Sequence, residues 1–488
     1  MLPERLLLLR INLSPAAALP EQLPPGAAAE LRGWPMGTTA KWKPSTFNVQ
    51  VRHNGKHLAF NSLIAHSLEM TDAQVAVFND SLAEIERSGS CSDEAMLRSL
   101  FALGFIVPMD ENEVRRERAR FQVTKSATET LRVTIVPTMA CNLHCSYCFQ
   151  QNFGPCRTMQ PDVQQGVVEF VRRKVEGSKA LVVQWFGGEP LLRYNQILSM
   201  TQAFQRICAE RGMRYHSEML TNGTLLTEKI IDSFRQIALK AVQIPLDGDT
   251  AVYALRKGIS LVRAQAFHRF LLDHMQSLVD ATGSVTIRIN VDRYNGAAGK
   301  EIVRMFKEHG CRDPRIDFRL GFLNTRDGMI DCIPHDCFSN REFADLEADF
   351  RRYLAAEGYR VYGEPEARKY PCAAPLLHNF TIDPEGRIGK CVPAIGTEES
   401  VFSRIYPDDI DRTMDETSRP GVPYAGFDPY DSACRGCELL PICLGSCPRS
   451  HEVGRSVTCS LKQGLAGTIA FYRTHGYRSD AMGATPAV

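Results

Sequence analysis

Short apolar runs alternate with longer, helix-periodic segments through the middle of the chain. The apolar runs, which predict strands, occupy residues 131–137, 180–186, 217–220, 241–246, 285–291 and 316–320. Apolar positions between them recur with helical spacing near residues 161–177, 193–211, 227–239, 259–279 and 299–309. Strands separated by helices are typical of parallel βα units, so we predict an α/β fold with a partial (β/α)6 TIM-like barrel. The chemistry of such a barrel belongs at the C-terminal ends of its strands.

The region before the barrel has the pattern of a small module. Apolar strand residues on both sides of Asn54-Gly55 predict a β-hairpin, because this dipeptide tolerates the positive φ angles of a tight turn. A capping box at Thr71 opens a predicted helix over 72–87, and Ser92 is predicted to cap a second helix. A hairpin followed by two helices predicts a winged-helix-like domain.

These patterns divide the chain into segments. Residues 1–41, rich in alanine, proline and leucine, are predicted to be disordered. The remaining segments are the winged-helix-like domain at 42–110, a solvated linker helix at 111–130, the barrel at 131–340, a bridging helix at 341–370, a cysteine-rich domain at 371–470 and a tail at 471–488.

Composition excludes several classes of partner. The formal net charge of +1 provides no global field for nucleic acid or an anionic membrane. No run of 18 or more apolar residues occurs, so no membrane-spanning helix is predicted. The run of four leucines near the start is short and follows Glu4, which makes a poor signal peptide. We therefore expect a cytoplasmic protein.

The sixteen cysteines change the picture, because thiols stay reduced in the cytoplasm and clustered ones there indicate metal ligation. Cys141, Cys145 and Cys148 follow the first barrel strand with spacings of three and then two residues. Three thiolates can hold three irons of a [4Fe–4S] cube and leave the fourth iron open. A structural zinc site, which needs four ligands, is the alternative if His144 serves as the fourth.

The CxxxCxxC motif after the first strand of a βα barrel resembles the signature of the radical S-adenosylmethionine (SAM) superfamily. The resemblance implies that a reduced cluster cleaves SAM to a 5′-deoxyadenosyl radical, which abstracts a hydrogen atom from the substrate. Gly187-Gly188-Glu189 looks like the motif that binds the methionine amino group. Other positions that resemble SAM contacts are Tyr147 at the adenine, Thr221 and Asn222 near the ribose, Asp247 after the fourth strand, and Arg256 at the carboxylate.

The sequence departs from that family at two places. Pro245 replaces a serine whose hydroxyl would help to hold the SAM carboxylate, and Tyr253-Ala254 stands where relatives often have His-Asp. Arg256 would then hold the carboxylate alone through a bidentate salt bridge. The SAM site is expected to survive both changes.

A second cysteine cluster lies near the C-terminus, for which zinc ribbons are one explanation. The cysteines are Cys372, Cys391, Cys434, Cys437, Cys443, Cys447 and Cys459. Their arrangement resembles SPASM domains, in which two auxiliary [4Fe–4S] clusters are common. By this resemblance, Cys372, Cys391 and Cys447 bind the first auxiliary cluster, and the other four cysteines bind the second.

The first auxiliary cluster is short of one ligand in this assignment. An open iron that binds a substrate thiolate, His378, or one of the loop cysteines Cys332 and Cys337 would complete it. We favour Cys332 and Cys337 as ordinary loop cysteines. The other cysteines, predicted to be buried or incidental thiols, are Cys91, Cys156, Cys208 and Cys311.

Because enzymes with SPASM domains mostly modify peptides, the resemblance implies a maturase that forms a thioether or carbon–carbon cross-link on a ribosomally made precursor peptide. The N-terminal module loosely resembles the element that captures a leader peptide as an extra strand, and a structural cap is the alternative. A formylglycine-generating sulfatase maturase is a second hypothesis, although Val392 replaces the Asp that serves such enzymes as base. A non-catalytic iron–sulfur scaffold that binds peptide is the third. An electron donor such as flavodoxin or ferredoxin is the other expected partner.

Overall fold

The computed structural model describes residues 40–148, 150, 157–323, 336–362, 365–419, 421–452 and 460–475. The predicted disordered segment up to residue 39 lies outside these described residues, as do Cys156, Cys332 and Cys459. Nowhere in these ranges does a helix combine the length and the apolar character that a bilayer crossing requires.

A nine-stranded sheet forms the centre of the molecule, in the order β11-β10-β9-β8-β7-β6-β12-β13-β14. The strands are β1 (Trp42–Pro44), β2 (Asn48–His53), β3 (Lys56–Asn61), β4 (His66–Met70), β5 (Ile106–Pro108), β6 (Thr130–Ile135), β7 (Ala180–Trp185), β8 (Arg214–Leu220), β9 (Leu239–Pro245), β10 (Val285–Val291), β11 (Ile316–Phe322), β12 (Asn379–Ile382), β13 (Arg387–Gly389) and β14 (Ser403–Arg404). Strands β6 to β11 pair in parallel, which confirms the six predicted βα units. Strand β12 also pairs in parallel with β6, so the predicted cysteine-rich domain extends the barrel sheet.

The helices cover the outside of this sheet and connect it to the rest of the chain. They are α1 (Asp72–Ser88), α2 (Glu94–Ala102), α3 (Glu113–Ser126), α4 (Pro161–Lys174), α5 (Tyr194–Glu210), α6 (Glu228–Ser233), α7 (Thr250–Lys257), α8 (Leu261–Asp273), α9 (Met275–Thr282), α10 (Ala298–Glu308), α11 (Asn340–Ala356), α12 (Ile410–Ser418), α13 (Leu440–Cys443), α14 (Pro448–Glu452) and α15 (Ser460–His475). Helix α7 was not predicted, and the segment predicted as one helix at 259–279 forms both α8 and α9. Asp249 begins α7 by accepting two backbone N–H bonds.

The barrel strands have an apolar outer face and a polar inner face. On the outer face, Ile287 and Ile289 of β10 and Phe318 of β11 belong to the main hydrophobic core with the covering helices. Alternate residues of a strand point to the opposite face, here the barrel lumen. The lumen-facing positions include Arg132, Gln184, Glu218, Arg288 and Arg319. Polar groups therefore continue inward from the strand ends, where the predicted site lies.

The N-terminal module contains a three-stranded sheet in the order β2-β3-β4, where only a hairpin was predicted. Asn54 and Gly55 have the expected positive φ angles, 47° and 76°, and the predicted capping box opens α1. The second helix is capped by Asp93 and not by Ser92, because the Asp93 carboxylate accepts the Met96 N–H at 3.0 Å.

This three-stranded sheet makes buried contacts on both faces. One face packs on α1 and α2 in the module's own core. The other face packs on the cysteine-rich domain, and the buried residues of that interface cluster are Val49, Leu58, Phe60, Leu439, Ile442, Leu465 and Ile469. The module and the cysteine-rich domain therefore share a hydrophobic core.

Helix α3, which was predicted to be solvated, is instead buried on one face. The Lys125 ammonium donates to the backbone carbonyls of Ala425 and Phe427, the second at 2.9 Å. Arg118 forms an ion pair with Asp428 at 2.6 Å. The charges that indicated exposure in the sequence are thus matched by partners some 300 residues later in the chain.

Helix α15 corrects the predicted boundary at 470, because it continues to His475. It packs against α11, β2 and β3. Arg351 of α11 donates to the Thr468 hydroxyl at 2.8 Å within this contact. The described end of the chain is therefore part of the folded body, where a tail was predicted.

Candidate active site at the ends of the barrel strands

Glu189 lies just after β7 and is fully buried. Its carboxylate accepts hydrogen bonds from the Leu191 N–H at 2.9 Å, the Thr221 hydroxyl at 2.7 Å and the Asn222 N–H at 2.7 Å. Burial raises the pKa of Glu189 to about 7, against the opposing effect of these three donors. The motif after β7 is thereby tied to the motif after β8, and the carboxylate has a fixed position.

The two glycines before Glu189 allow this segment to pack against backbone. Gly187 has a φ of 138°, and its Cβ would collide with the Thr138 carbonyl oxygen. A Cβ on Gly188 would collide with the Ala140 carbonyl oxygen. Any larger residue at either position would push the motif away from the loop that begins at Cys141.

Cys141, Cys145 and Cys148 lie on the loop after β6, where the charges of Cys148 and Cys141 add to burial in raising the pKa of Cys145. Burial raises the pKa of Cys145 to about 11, and the nearby Lys257 ammonium opposes this shift. His144, the alternative fourth zinc ligand, is exposed. Across the described ranges, no three His, Cys, Asp or Glu side chains converge tightly enough for a single metal ion.

The C-terminal end of α7 holds this cysteine loop in place. The His144 N–H donates to the Lys257 carbonyl at 3.1 Å, and the Ser146 N–H donates to the Arg256 carbonyl at 3.0 Å. Gly258, in the left-handed region with a φ of 65°, ends the helix. A Cβ on Gly258 would stand 3.0 Å from the His144 carbonyl oxygen, so this glycine permits the close approach.

Asp247, directly after β9, is the centre of a buried polar network. Its carboxylate accepts the Tyr147 hydroxyl and the Asn290 N–H, the latter at 3.1 Å. It also forms an ion pair with Lys257 at 2.7 Å. Burial lowers the pKa of Lys257, but the charges of Asp247 and Tyr147 prevail and hold it well above its ordinary value.

Sequence analysis missed Lys257, which is only 1% exposed. Its ammonium donates to the Tyr147 hydroxyl oxygen at 2.5 Å and lies over the rings of Tyr147 and Tyr253. The sequence has two adjacent basic residues shortly after the fourth barrel strand, and only Arg256 of the two was predicted to contact SAM. Without a predicted helix there, the sequence did not indicate that both would be buried.

Arg256 is buried, and its guanidinium has more N–H donors than hydrogen-bond partners among the described residues. One guanidinium nitrogen, Nη1, donates to Asp292 at 2.6 Å, and Nε lies 3.9 Å from an Asp247 oxygen. Nε and Nη2 are buried and have no hydrogen-bond partner among the described residues. Leaving N–H donors of a buried cation without acceptors costs free energy. A bound anionic group such as the SAM carboxylate would supply these acceptors.

The predicted SAM residues thus form one hydrogen-bonded rim around the cysteine loop. Asn222 completes it, since its side chain donates to Asn142 at 2.9 Å and lies 3.6 Å from the Cys141 sulfur. Three thiols, a fixed carboxylate and a buried guanidinium are suited to a [4Fe–4S] cluster that binds SAM on its open iron.

Residues 135–330 match the radical SAM superfamily, and this stretch contains the whole rim. The chain carries a radical SAM domain. The chain is 25% identical over 389 residues to the radical SAM cyclopropyl synthase TigE of Paramaledivibacter caminithermalis, covering 72% of this chain and 76% of TigE. It is 29% identical over 333 residues to a serine-type anaerobic sulfatase-maturating enzyme of Klebsiella pneumoniae, covering 63% of this chain and 79% of that enzyme.

Solved structures share the fold of this radical SAM enzyme. The native anSMEcpe structure with bound AdoMet superposes with a TM-score of 0.54 at 16% identity and covers 70% of this chain and 96% of anSMEcpe. The structure of anSMEcpe with AdoMet and the Cp18Cys peptide has a TM-score of 0.52. At this identity the likeness concerns the fold alone. The radical SAM domain confirms the predicted enzyme class and the predicted SAM-binding [4Fe–4S] cluster.

The C-terminal cysteines of the radical SAM enzyme fall into two groups. Cys372 lies near Cys391 and Cys447, because the charges of both add to burial in raising the pKa of Cys372. Burial raises the pKa of Cys372 to about 12 and that of Cys391 to about 11. Cys434 and Cys437 form a tight turn, with the Cys437 N–H donating to the Cys434 carbonyl at 2.9 Å. The two groups follow the predicted division between auxiliary clusters, which stays a prediction.

His378 is removed as a candidate ligand of the first auxiliary cluster. Its Nδ1 faces the Thr128 carbonyl at 3.0 Å, and its Nε2 faces the Lys174 carbonyl at 2.9 Å. Both ring nitrogens are therefore engaged with backbone between α4 and the barrel. Cys337 is disulfide-bonded, so its thiol is not a free ligand either.

Proposed function

We propose that this radical SAM enzyme abstracts a hydrogen atom from a residue of a ribosomally made precursor peptide and forms a thioether or carbon–carbon cross-link. The proposal rests on the polar lumen of the barrel, which lies directly below the SAM rim. The barrel continues into the cysteine-rich domain, and that domain shares a hydrophobic core with the N-terminal β-sheet module. The sulfatase-maturating enzyme described above supports a protein substrate.

The residues of the rim have separate tasks in this proposal. When bound, the [4Fe–4S] cluster and SAM supply a 5′-deoxyadenosyl radical. Cys141, Cys145 and Cys148 are the thiolate ligands, and Glu189 accepts a hydrogen bond from the SAM ammonium. Arg256 pairs with the SAM carboxylate through the two donors that are otherwise unsatisfied. The buried network around Asp247 keeps the cysteine loop in place and excludes water from the reacting carbon.

The N-terminal module is proposed to bind the leader part of the peptide as an added strand. Strands β2 and β4 are the edges of its sheet, and an edge offers unpaired backbone groups to an extended peptide. The face with Val49 and Leu58 is already covered by the cysteine-rich domain. Peptide capture would therefore occur at an edge, and the bound leader would direct the following core segment toward the barrel.

Formylglycine formation is the second candidate, favoured by the likeness to the sulfatase-maturating enzyme. Against it stands Val392, which follows Cys391 where sulfatase maturases carry an Asp base. We place either activity in the cytoplasm, since oxygen-labile clusters require a reducing compartment. A flavodoxin or ferredoxin would supply the electron.

The test is an anaerobic reaction of reconstituted enzyme, SAM and dithionite with short peptides encoded beside its gene, followed by tandem mass spectrometry. A cross-link removes two hydrogens and blocks fragmentation between the linked residues. Serine oxidation to formylglycine also removes two hydrogens, but its product reacts with a hydrazide probe and fragments normally. A hydrazide-reactive product would replace the first candidate with the second, and SAM cleavage that never alters a peptide or protein would contradict both.

A further inference from the structure

Helix α7 carries three polar side chains on one buried face. Tyr253 is followed three residues later by Arg256 and four residues later by Lys257, the spacing at which side chains on a helix are neighbours. Their exposed fractions are 0%, 7% and 1%. Lys257 is paired with Asp247 at 2.7 Å. The Tyr253 hydroxyl, in contrast, is buried and has no hydrogen-bond partner among the described residues.

Aromatic packing holds the Tyr253 ring in place without any help from its hydroxyl. The ring stacks on Phe267 of α8 with the two ring centres 5.4 Å apart. Phe267 in turn lies against the segment after β8, where a Cβ on Gly223 would stand 3.1 Å from its ring. His268 packs on the Tyr253 ring at 4.8 Å, but its Nε2 is also without a hydrogen-bond partner, so the two polar groups do not satisfy each other. A phenylalanine would keep these ring contacts without the cost of a buried, unpaired hydroxyl.

The hydroxyl lies among the groups of the SAM rim. The Lys257 ammonium is 5.5 Å from the centre of the Tyr253 ring. Burial raises the pKa of Tyr253, and the charge of Lys257 opposes this rise. The charges of Asp247, Cys145 and Glu189 add to it. These three groups follow β9, β6 and β7, so the Tyr253 hydroxyl lies on the side of α7 where the strand ends meet.

Arg256 is the second observation that points to an anionic ligand at this face. Its Nη1 donates to Asp292 at 2.6 Å, whereas its Nε and Nη2 are buried and have no partner among the described residues. Together with the Tyr253 hydroxyl, one helix face thus holds three donor atoms that no described group accepts. A carboxylate has two oxygens with about four acceptor sites, so it can satisfy all three donor atoms at once.

We propose that the Tyr253 hydroxyl donates a hydrogen bond to the carboxylate of bound SAM, beside Arg256. A hydrogen bond to a charged acceptor is stronger than one between neutral groups, which gives the buried hydroxyl a partner that offsets its burial. Arg256 then does not hold the carboxylate alone, and Tyr253 supplies the hydroxyl that Pro245 lacks at the end of β9. The inference concerns SAM binding by the radical SAM domain and holds whichever substrate is modified.

Tyr253→Phe tests the proposal, because it removes the hydroxyl and keeps the ring contacts. Equilibrium dialysis of cluster-reconstituted enzyme should show a Kd for SAM about tenfold higher than that of the wild type. Since the hydroxyl has no partner in the described protein, the melting temperature of the SAM-free protein should not fall. An unchanged Kd for SAM would overturn the proposal.

The matched control is Tyr359→Phe, on the outer face of the barrel sheet. The Tyr359 hydroxyl donates to the Cys311 carbonyl at 2.9 Å, and its ring packs on Phe318. Its removal should lower the melting temperature and leave the Kd for SAM unchanged. The two variants therefore separate loss of a structural hydrogen bond from loss of a ligand contact.

Decarboxylated SAM identifies the group that the hydroxyl contacts. This analogue keeps the ammonium, the sulfonium and the adenosine and lacks only the carboxylate. Tyr253→Phe should raise the Kd for SAM about tenfold and leave the Kd for decarboxylated SAM unchanged. An equal rise for both ligands would overturn the assignment to the carboxylate. Neither measurement uses a peptide, so a failure to modify peptides would contradict the proposed function and leave this result standing.

Discussion

Replacement of Glu189 by Gln tests the SAM site at its most constrained carboxylate. The carboxylate accepts three hydrogen bonds from the protein at 2.7–2.9 Å, one of its oxygens taking two of them. A glutamine presents an NH2 group to at least one of these donors, so at least one bond is lost and a buried donor is left unpaired. We expect this to reduce stability by about 1–3 kcal/mol.

The same substitution removes the negative charge that would face the SAM ammonium. A charge-assisted hydrogen bond contributes about 1.5–3 kcal/mol, so the Kd for SAM should rise about tenfold to a hundredfold. Equilibrium dialysis of SAM against anaerobically reconstituted enzyme measures this, and thermal melting measures the structural effect separately.

Two controls separate charge from structure. Thr221→Val removes one donor to the Glu189 carboxylate and keeps the charge, so it should lower the melting temperature and, because Thr221 also lies in the segment assigned to the SAM ribose, raise the Kd for SAM by less than Glu189→Gln does. Glu210→Gln removes an exposed carboxylate that pairs with Arg172 on the surface and should change neither quantity. An unchanged Kd in Glu189→Gln would refute the assignment of Glu189 to the SAM ammonium.

Three other outcomes are expected. Changing all three cysteines of the CxxxCxxC loop to Ala should remove about a third of the about twelve irons per chain and abolish SAM cleavage. Iron analysis measures the first effect, and a 5′-deoxyadenosine assay measures the second. Zinc with negligible iron in anaerobically purified protein would contradict the three-cluster prediction. Burial lowers the pKa of His268 to about 4. Because the unfolded chain binds a proton at this histidine near pH 6.5, the free energy of unfolding should fall by about 1 kcal/mol between pH 7 and pH 5.5. His268→Phe should flatten the dependence of the melting temperature on pH in this range. A pH dependence identical to that of the wild type would contradict the burial of a neutral His268. Lys125→Met should lower the melting temperature, because it leaves two backbone carbonyls of the cysteine-rich domain unpaired. The control Lys179→Met changes an exposed lysine and should have little effect. Equal effects of the two substitutions would mean that α3 does not hold the cysteine-rich domain in place.

The interface between the module and the cysteine-rich domain changes how leader recognition should be tested. Deletion of residues 1–108 would expose Leu439, Ile442 and their neighbours, which the module now buries. Loss of peptide turnover in such a truncation would therefore have two explanations. Substitutions of Gln50 or Arg52, which are exposed on β2, test an edge for the peptide and leave this core intact.

Local order along the chain was enough to predict several parts of the protein. Period-two and period-3.6 patterns predicted the six βα units, because alternation along a strand and recurrence along a helix are properties of the chain alone. CxxxCxxC predicted the first cluster loop for the same reason, since its three ligands lie within eight residues. The capping box at Thr71 and the Asn54-Gly55 turn are local in the same sense.

Contacts between groups that are distant in the chain were established by the packing of separate segments. Lys257 is a basic residue beside another in the sequence, and it becomes a buried partner of Asp247 because α7 packs against the cysteine loop. His378 has the spacing of a ligand, but packing directs both its ring nitrogens to backbone carbonyls. Arg288 and Arg319 are 31 residues apart and become register partners through the pairing of β10 with β11. Burial and pairing of charges depend on contacts between segments, and no local pattern encodes those contacts.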